Sequence, residues 1–281
     1  MRGKWLVRAV CAAGLAAAAP LWTSVSSAQG PSGPTVDFPA KMAALGDSIS
    51  LAFDAVGGSV AAHPALSWST GSAAAVDSQY LRLLRASHDT HLVAYLLAKG
   101  GAQIAELPFQ AEEAVRLGVG YVTILIGAND LCAPSVREIT PPGLFRADLS
   151  RSFAILERGL PLGSHIFVAS IPNLIQLWEV EHTNPEAQLV WNYAGLCGDV
   201  LGTDATDVER QEVLARERVF NSILLSVCAR YSNCRSDGLA VFNYRFSAAQ
   251  VSSLDYFHPS VAGQAALAAI TWAHGFWAGL P

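Results

Sequence analysis

Tyr121-Val122-Thr123-Ile124-Leu125-Ile126-Gly127-Ala128-Asn129-Asp130 is the stretch whose reading decides the architecture. The first six residues are β-branched, aromatic or leucine, and they form an apolar run of strand length. A strand without polar alternation is buried on both faces, as in a parallel sheet covered by helices. The glycine, asparagine and aspartate that follow end the run where a turn must form. Outward from this centre, Met42 to Leu45, His91 to Leu97, His165 to Ile171 and Leu239 to Phe242 read as further strands. Between them, Ala73 to Ala86, Ile104 to Leu117, Pro142 to Leu160 and Asp207 to Tyr231 repeat apolar residues at helical spacing, and Val261 to Trp277 adds a last helix. Strands alternating strictly with helices imply right-handed crossovers and a five-stranded parallel sheet inside a three-layer α/β/α sandwich. Pro172 to Thr206, which holds Trp178, Trp191, Tyr193 and Cys197, is the least regular segment and is expected to wall a substrate site.

The chain has 281 residues, with 18 Lys+Arg against 23 Asp+Glu. Its beginning combines Arg2, Lys4 and Arg8 with an apolar run from Ala9 to Trp22 and small residues at Ser26, Ser27 and Ala28. That order predicts a secretory signal peptide over residues 1–28, cleaved near Ala28, and an extracellular or periplasmic protein. Residues 29–40, rich in proline and glycine, are expected to be a flexible leader, and residues 41–281 one domain. Cleavage would remove basic residues alone and leave an acidic remainder. Acidic chains lack the clustered Lys and Arg that bind phosphate backbones, so nucleic acid is excluded as a partner. Cys132, Cys197, Cys228 and Cys234 would remain after export, and an even number in an oxidising compartment suggests two disulfides with three possible pairings. The short loop between Cys228 and Cys234 favours that pair and leaves Cys132 with Cys197. Their spacing matches no zinc pattern.

Polar residues gather where strands end. Gly46-Asp47-Ser48 follows the first strand, and Gly100-Gly101-Ala102 the second. Gly127-Ala128-Asn129-Asp130 follows the third, and Asp255-Tyr256-Phe257-His258 precedes the last helix. Singly, each reads first as a turn or a helix cap. With strand order 2-1-3-4-5 the loops after strands two, one and three are neighbours at one sheet edge, which is where open α/β sheets bind ligands. Asp255 stands three residues before His258, so one turn holds both: the carboxylate would accept the imidazole Nδ1–H and leave Nε2 to take a proton from Ser48. The N–H groups of Ser48 and Gly101 with the Asn129 side chain would then converge on one developing oxyanion. Asp47 and Asp130 are expected to support this site. Nucleophile, base and oxyanion donors together describe acyl transfer without a metal or organic cofactor.

These four blocks, in this order, resemble the SGNH hydrolases, whose name lists the serine, glycine, asparagine and histidine that match Ser48, Gly101, Asn129 and His258. The resemblance spans residues 42–279 and implies a flavodoxin-like sheet of order 2-1-3-4-5 with a serine esterase or lipase activity. Asn129 to Cys132, Ser67-Trp68-Ser69 and Phe257-His258-Pro259-Ser260 are similar to the phospholipase B branch, whose members deacylate lipid esters. Two positions depart from it: Ile49 stands where many relatives carry leucine, and Tyr256 where phospholipase B relatives often carry cysteine, so their disulfide pattern does not transfer. The expected substrate is a small-molecule or lipid ester, with transient contact to a lipid surface and a monomeric chain. A carbohydrate acetylesterase is the alternative on the same machinery, and a secreted binding module without turnover is a third reading. Trp68, Phe109, Trp178, Trp191 and Tyr193 could line an acyl tunnel or stack on sugars, but core packing is the expected fate of most of them.

Overall fold

A computed structural model describes residues 37–280; the expected signal peptide and residues 29–36 of the expected leader lie outside the described residues. Five strands form one sheet in the order β2-β1-β3-β4-β5. These are β1 (Lys41–Gly46), β2 (Val93–Leu96), β3 (Tyr121–Leu125), β4 (His165–Val168) and β5 (Cys234–Ser236), and every pairing is parallel. β3 is buried along its whole length, as its unbroken apolar run requires, and Met42 to Leu45 of β1 are buried beside it. The register pairs Met42 with Tyr121 and Leu45 with Ile124, so that Gly46 and Leu125 reach the carboxyl edge side by side.

The helices are α1 (Gln79–Ser87), α2 (Leu107–Leu117), α3 (Ala128–Leu131), α4 (Pro142–Gly159), α5 (Leu174–Glu181), α6 (Pro185–Ala194), α7 (Asp207–Cys228), α8 (Ala240–Asn243) and α9 (Val261–Ala273). One layer sets α2, α4 and α7 side by side, and α9 packs on α1 and α8 in the other. Phe145 of α4 stacks on Phe220 of α7 with centroids 4.1 Å apart, and both rings are fully buried. Ser78, Asn173, Asn184, Thr206 and Ser260 each accept a backbone N–H from the first turn of the helix they precede. Short polar side chains at these places stop the chain from entering the helix one residue early. No described helix is long and apolar enough to cross a membrane.

Three expectations about elements are corrected. Leu239 to Phe242 is not a strand: Leu239 has φ +72°, and the Asp237 carboxylate takes the N–H groups of Leu239 and Val241, which turns the chain into α8. The fifth strand is instead Cys234–Ser236, a short polar edge strand without an apolar signal. α1 begins at Gln79 rather than Ala73, because Asp77 has φ +53° and Ser78 caps Leu81 while donating to the Gly71 carbonyl. Pro172 to Thr206, irregular to the eye, holds α5 and α6, each opened by an asparagine cap. Cys132 is bonded to Cys197 and Cys228 to Cys234. The first pair ties α3, at the carboxyl edge of β3, to the loop after α6.

Candidate active site

β1 ends at Gly46, whose φ of +144° places a would-be Cβ 2.0 Å from the Leu125 carbonyl oxygen, so no other residue fits. Gln110 of α2 clamps this glycine, accepting its N–H at 2.7 Å and donating to its carbonyl at 2.9 Å. The chain then turns sharply. Asp47 Oδ1 accepts Ile49 N–H at 2.9 Å, and Ser48 O accepts Phe53 N–H at 3.1 Å, so Ser48 stands in a series of turns. From below, Gln264 of α9 donates to Ile49 O at 2.8 Å and accepts Trp68 N–H at 3.0 Å. The Trp68 indole N–H reaches Ser50 Oγ at 3.3 Å. The serine is therefore presented on a turn gripped from both layers.

His258 arrives from the far end of the sequence. Ser252 N–H donates to His258 O at 2.8 Å, closing a loop in which Tyr256 has φ +55°. Within it, Asp255 Oδ1 accepts the N–H groups of Phe257 and His258 at 2.9 and 3.0 Å, and Oδ2 faces His258 Nδ1 at 2.5 Å. His258 Nε2 lies 2.8 Å from Ser48 Oγ. The imidazole is packed between Phe53 and Phe257, whose centroids lie 5.3 and 4.9 Å away. α6 steadies the loop, because Trp191 donates to Tyr256 O and the Tyr256 hydroxyl donates to Glu186. Asp54 joins the pair of Asp255 and His258: ligand atoms of the three lie within 4.8 Å of one another.

Asn129 lies in the one-turn helix α3 directly after β3 and lines the same cleft as Ser48 and His258. Its amide donates to Ala102 O at 3.1 Å, and Gln103 donates to Asn129 O at 3.0 Å, so the loops after β2 and β3 are laced together beside Gly101. Among the described residues no acceptor takes the N–H of Gly101. Gly127 has φ +118°, a conformation that strains any residue with a Cβ, and a Cβ there would also press on Ile171 Cδ1 at 2.6 Å. Asp130 Oδ2 accepts Ile104 N–H at 2.8 Å and Asp130 O accepts Thr140 N–H at 3.0 Å, which pins this turn to its neighbours.

Burial sets the electrostatics. Desolvation raises the Asp47 carboxyl to about 7 and that of Asp130 to about 6, and each keeps one buried oxygen without a partner. Burial also works against the Asp255 carboxylate, but the hydrogen bond and charge of His258, joined by two backbone N–H groups, hold it below the usual range. Asp255 is thus the acid of the group that keeps its charge, the property an imidazole-orienting carboxylate needs.

The cleft above Ser48 is narrow, with a free volume of about 60 Å³. Leu174, Leu177 and Val180 of α5 form one wall, and Phe246, Val251 and Phe257 the other. None of the five aromatic candidates lines the cleft. Trp68 and Trp191 are buried in the core, Phe109 and Tyr193 are exposed, and Trp178 is sandwiched between Arg210 and His182 away from the cleft. Sequence reasoning missed three supports. Gln264 holds the serine turn, Gln176 donates to and accepts from the Phe246 backbone, and Asp54 sits against Asp255. A glutamine on a helix and an aspartate in a turn carry no signal that separates them from surface residues.

A family model described as GDSL-like Lipase/Acylhydrolase family matches residues 44–266. Among solved structures the chain is similar to LAE5, an alpha/beta hydrolase enzyme from the metagenome of Lake Arreo, Spain, at 17% identity and TM-score 0.54, covering 83% of this chain and 94% of that one. It is similar to the acetyl xylan esterase AlAXEase at 14% identity and TM-score 0.53, covering 83% and 98%. It also resembles phospholipase A1 from Streptomyces albidoflavus at 15% identity and TM-score 0.51, covering 84% and 99%. At these identities the structural likeness concerns the fold. No curated protein matches the chain by sequence.

Proposed function

Because the chain belongs to the GDSL-like lipase/acylhydrolase family and is a carboxylic ester hydrolase, we propose that Ser48, His258 and Asp255 are its catalytic triad. The observation that carries this reading is the unbroken line from Ser48 Oγ to His258 Nε2 at 2.8 Å and from His258 Nδ1 to Asp255 Oδ2 at 2.5 Å. His258 takes the Ser48 proton as the oxygen attacks an ester carbonyl. Asp255 holds the Nδ1–H tautomer and supports the imidazolium. The N–H groups of Ser48 and Gly101 and the Asn129 amide take the oxyanion. His258 then protonates the leaving alcohol and deprotonates the water that releases the acid. Asp47 and Asp130 act beneath the site by holding its turns.

The substrate we propose is a lipid ester of the kind the phospholipase B branch deacylates. The mostly apolar surface of the cleft supports an acyl chain, which gains about 0.8 kcal/mol for each buried methylene. A secreted chain fits this reading, since two disulfides persist in oxidising compartments. Residues 1–28 as signal peptide, cleaved near Ala28, and residues 41–281 as one monomeric domain complete the proposal.

The test is direct. Ser48→Ala should abolish turnover of nitrophenyl esters and labelling by a fluorophosphonate, with an unchanged circular dichroism spectrum; turnover retained by the purified variant would refute the nucleophile. In the same assay the wild type should prefer medium or long acyl chains to acetate. Preference for acetate alone would assign the cleft to a deacetylase instead.

A further inference from the structure

Asp54 lies outside every motif that the family blocks define. Its backbone is held in the left-handed region at φ +51° and is tied on both sides: Asp54 N–H donates to Ala61 O at 2.8 Å, and Ser252 Oγ donates to Asp54 O at 2.5 Å. Ser252 opens the loop that carries Asp255 and His258, so Asp54 joins the serine turn to the histidine loop. Its side chain is buried, as are those of Asp255 and His258, and ligand atoms of the three lie within 4.8 Å of one another. Oδ1 accepts Ala61 N–H at 2.8 Å, and a carboxyl oxygen of Asp54 lies within 4.8 Å of one of Asp255.

A hydrogen bond between two carboxyl groups needs one proton, because a carboxylate is an acceptor alone. The donors decide which acid keeps it. Asp255 receives two backbone N–H groups and the His258 ring N–H, whereas Asp54 receives one backbone N–H. Donors favour the ionised form, so the charge settles on Asp255 and the proton on Asp54. Burial, and after it the charge of Asp255, push the Asp54 carboxyl up in the same sense.

We propose that Asp54 is a positioning residue of the active site: its carboxyl keeps a proton and donates it in a hydrogen bond to Asp255, so that the two buried acids share a single negative charge. Asp255 then has four donors, and its orientation toward His258 does not depend on the imidazole alone. The other groups acting on this cluster are His258 itself, which acts on both acids, and Asp47, which faces His258 from beneath the serine. The inference rests on the triad reading and adds a fourth member behind it.

The experiment compares Asp54→Asn and Asp54→Ala with the wild type in the pH profile of kcat/KM on a nitrophenyl ester. Asparagine can accept Ala61 N–H and donate to Asp255 without charge, so it should rescue most of the activity and leave the acid limb in place. Alanine removes a donor from a buried carboxylate; kcat should fall about ten- to a hundredfold, with KM little changed, and the acid limb should move to higher pH. If Asp54 were ionised, both variants would remove a negative charge and move the acid limb to lower pH, which overturns the proposal. An alanine variant with wild-type kcat overturns it as well. Should the alanine variant fail to fold, the infrared difference between wild type and Asp54→Asn decides: a protonated carboxyl band lost in the variant supports the proposal, and its absence refutes it. Failure of the triad reading is distinguishable, since the wild type would then resist fluorophosphonate labelling or Ser48→Ala would stay active.

Discussion

At the scale of single residues, an unactivated hydroxyl is a weak nucleophile, and the work falls to groups whose direction is set beforehand. In the proposed site Asn129 is such a group: one amide hydrogen is given to Ala102 O, which fixes the plane of the amide in the cleft it shares with Ser48. Asn129→Ala should lower kcat by about 10² to 10³, as the loss of one oxyanion donor does elsewhere, with KM little altered. Steady-state kinetics on a short-chain ester checks this, and an unchanged kcat would remove Asn129 from the oxyanion hole. Ser48, Asn129, Asp255 and His258 were legible because chemistry restricts them to a few residue types at recognisable places after strands. Asp54 and Gln264 were not, because their roles exist only once residues some 200 positions apart meet, as Asp54 meets Ser252 and Gln264 meets Ile49. Spacing along the chain cannot report such meetings.

At the scale of elements, the cleft is made by a short helix and a loop joined by Gln176 and by an exposed ion pair between Glu179 and Arg245. Gln176 of α5 donates to Phe246 O at 2.7 Å and accepts Phe246 N–H at 3.2 Å, a two-point clamp across the cleft. α5 is itself seated by Glu217, which accepts Leu174 N–H, and by Asn221, which accepts Ile171 N–H at 2.8 Å, both from α7. Gln176→Ala should loosen the Phe246 side while leaving Ser48 and His258 in place. KM for long-chain esters is then expected to rise several-fold, with kcat on acetate esters nearly unchanged, since the lost hydrogen bonds contribute about 1 kcal/mol each. A chain-length profile parallel to the wild type would show that Phe246 does not shape the acyl site. The central strands and the long helices α2, α4 and α7 could be read directly, because burial on two faces or on one stripe imposes its own periodicity. β5 escaped because an edge strand of three residues needs no apolar run, and α8 looked like a strand because apolar β-branched and aromatic residues also fill a one-turn helix once Asp237 caps it.

Over the whole molecule, the site is stationed on buried acids, and their titration couples stability to pH. Asp47 titrates at about 7 and Asp130 at about 6 against an ordinary aspartate value of 3.8, both through desolvation, and burial also holds the Glu217 carboxyl well above its usual range. The folded chain therefore binds more protons than the unfolded chain between about pH 4 and 7. Linkage then gives the sign: the stabilisation from these protonated acids is complete below about pH 4 and is lost as pH rises through 6 to 7. Asp255, held low by His258, has the opposite sign and loses its contribution only in stronger acid. Thermal melting should show Tm falling from about pH 5 to pH 8. Asp47→Asn, a neutral side chain of the same shape, should flatten that fall, because a shift of about three pKa units corresponds to about 4 kcal/mol of pH-dependent stability. Melts at matched ionic strength separate this from general charge repulsion. A wild-type Tm that rises over the same interval would mean that these carboxyls are ionised in the folded protein and solvated by water that reaches them.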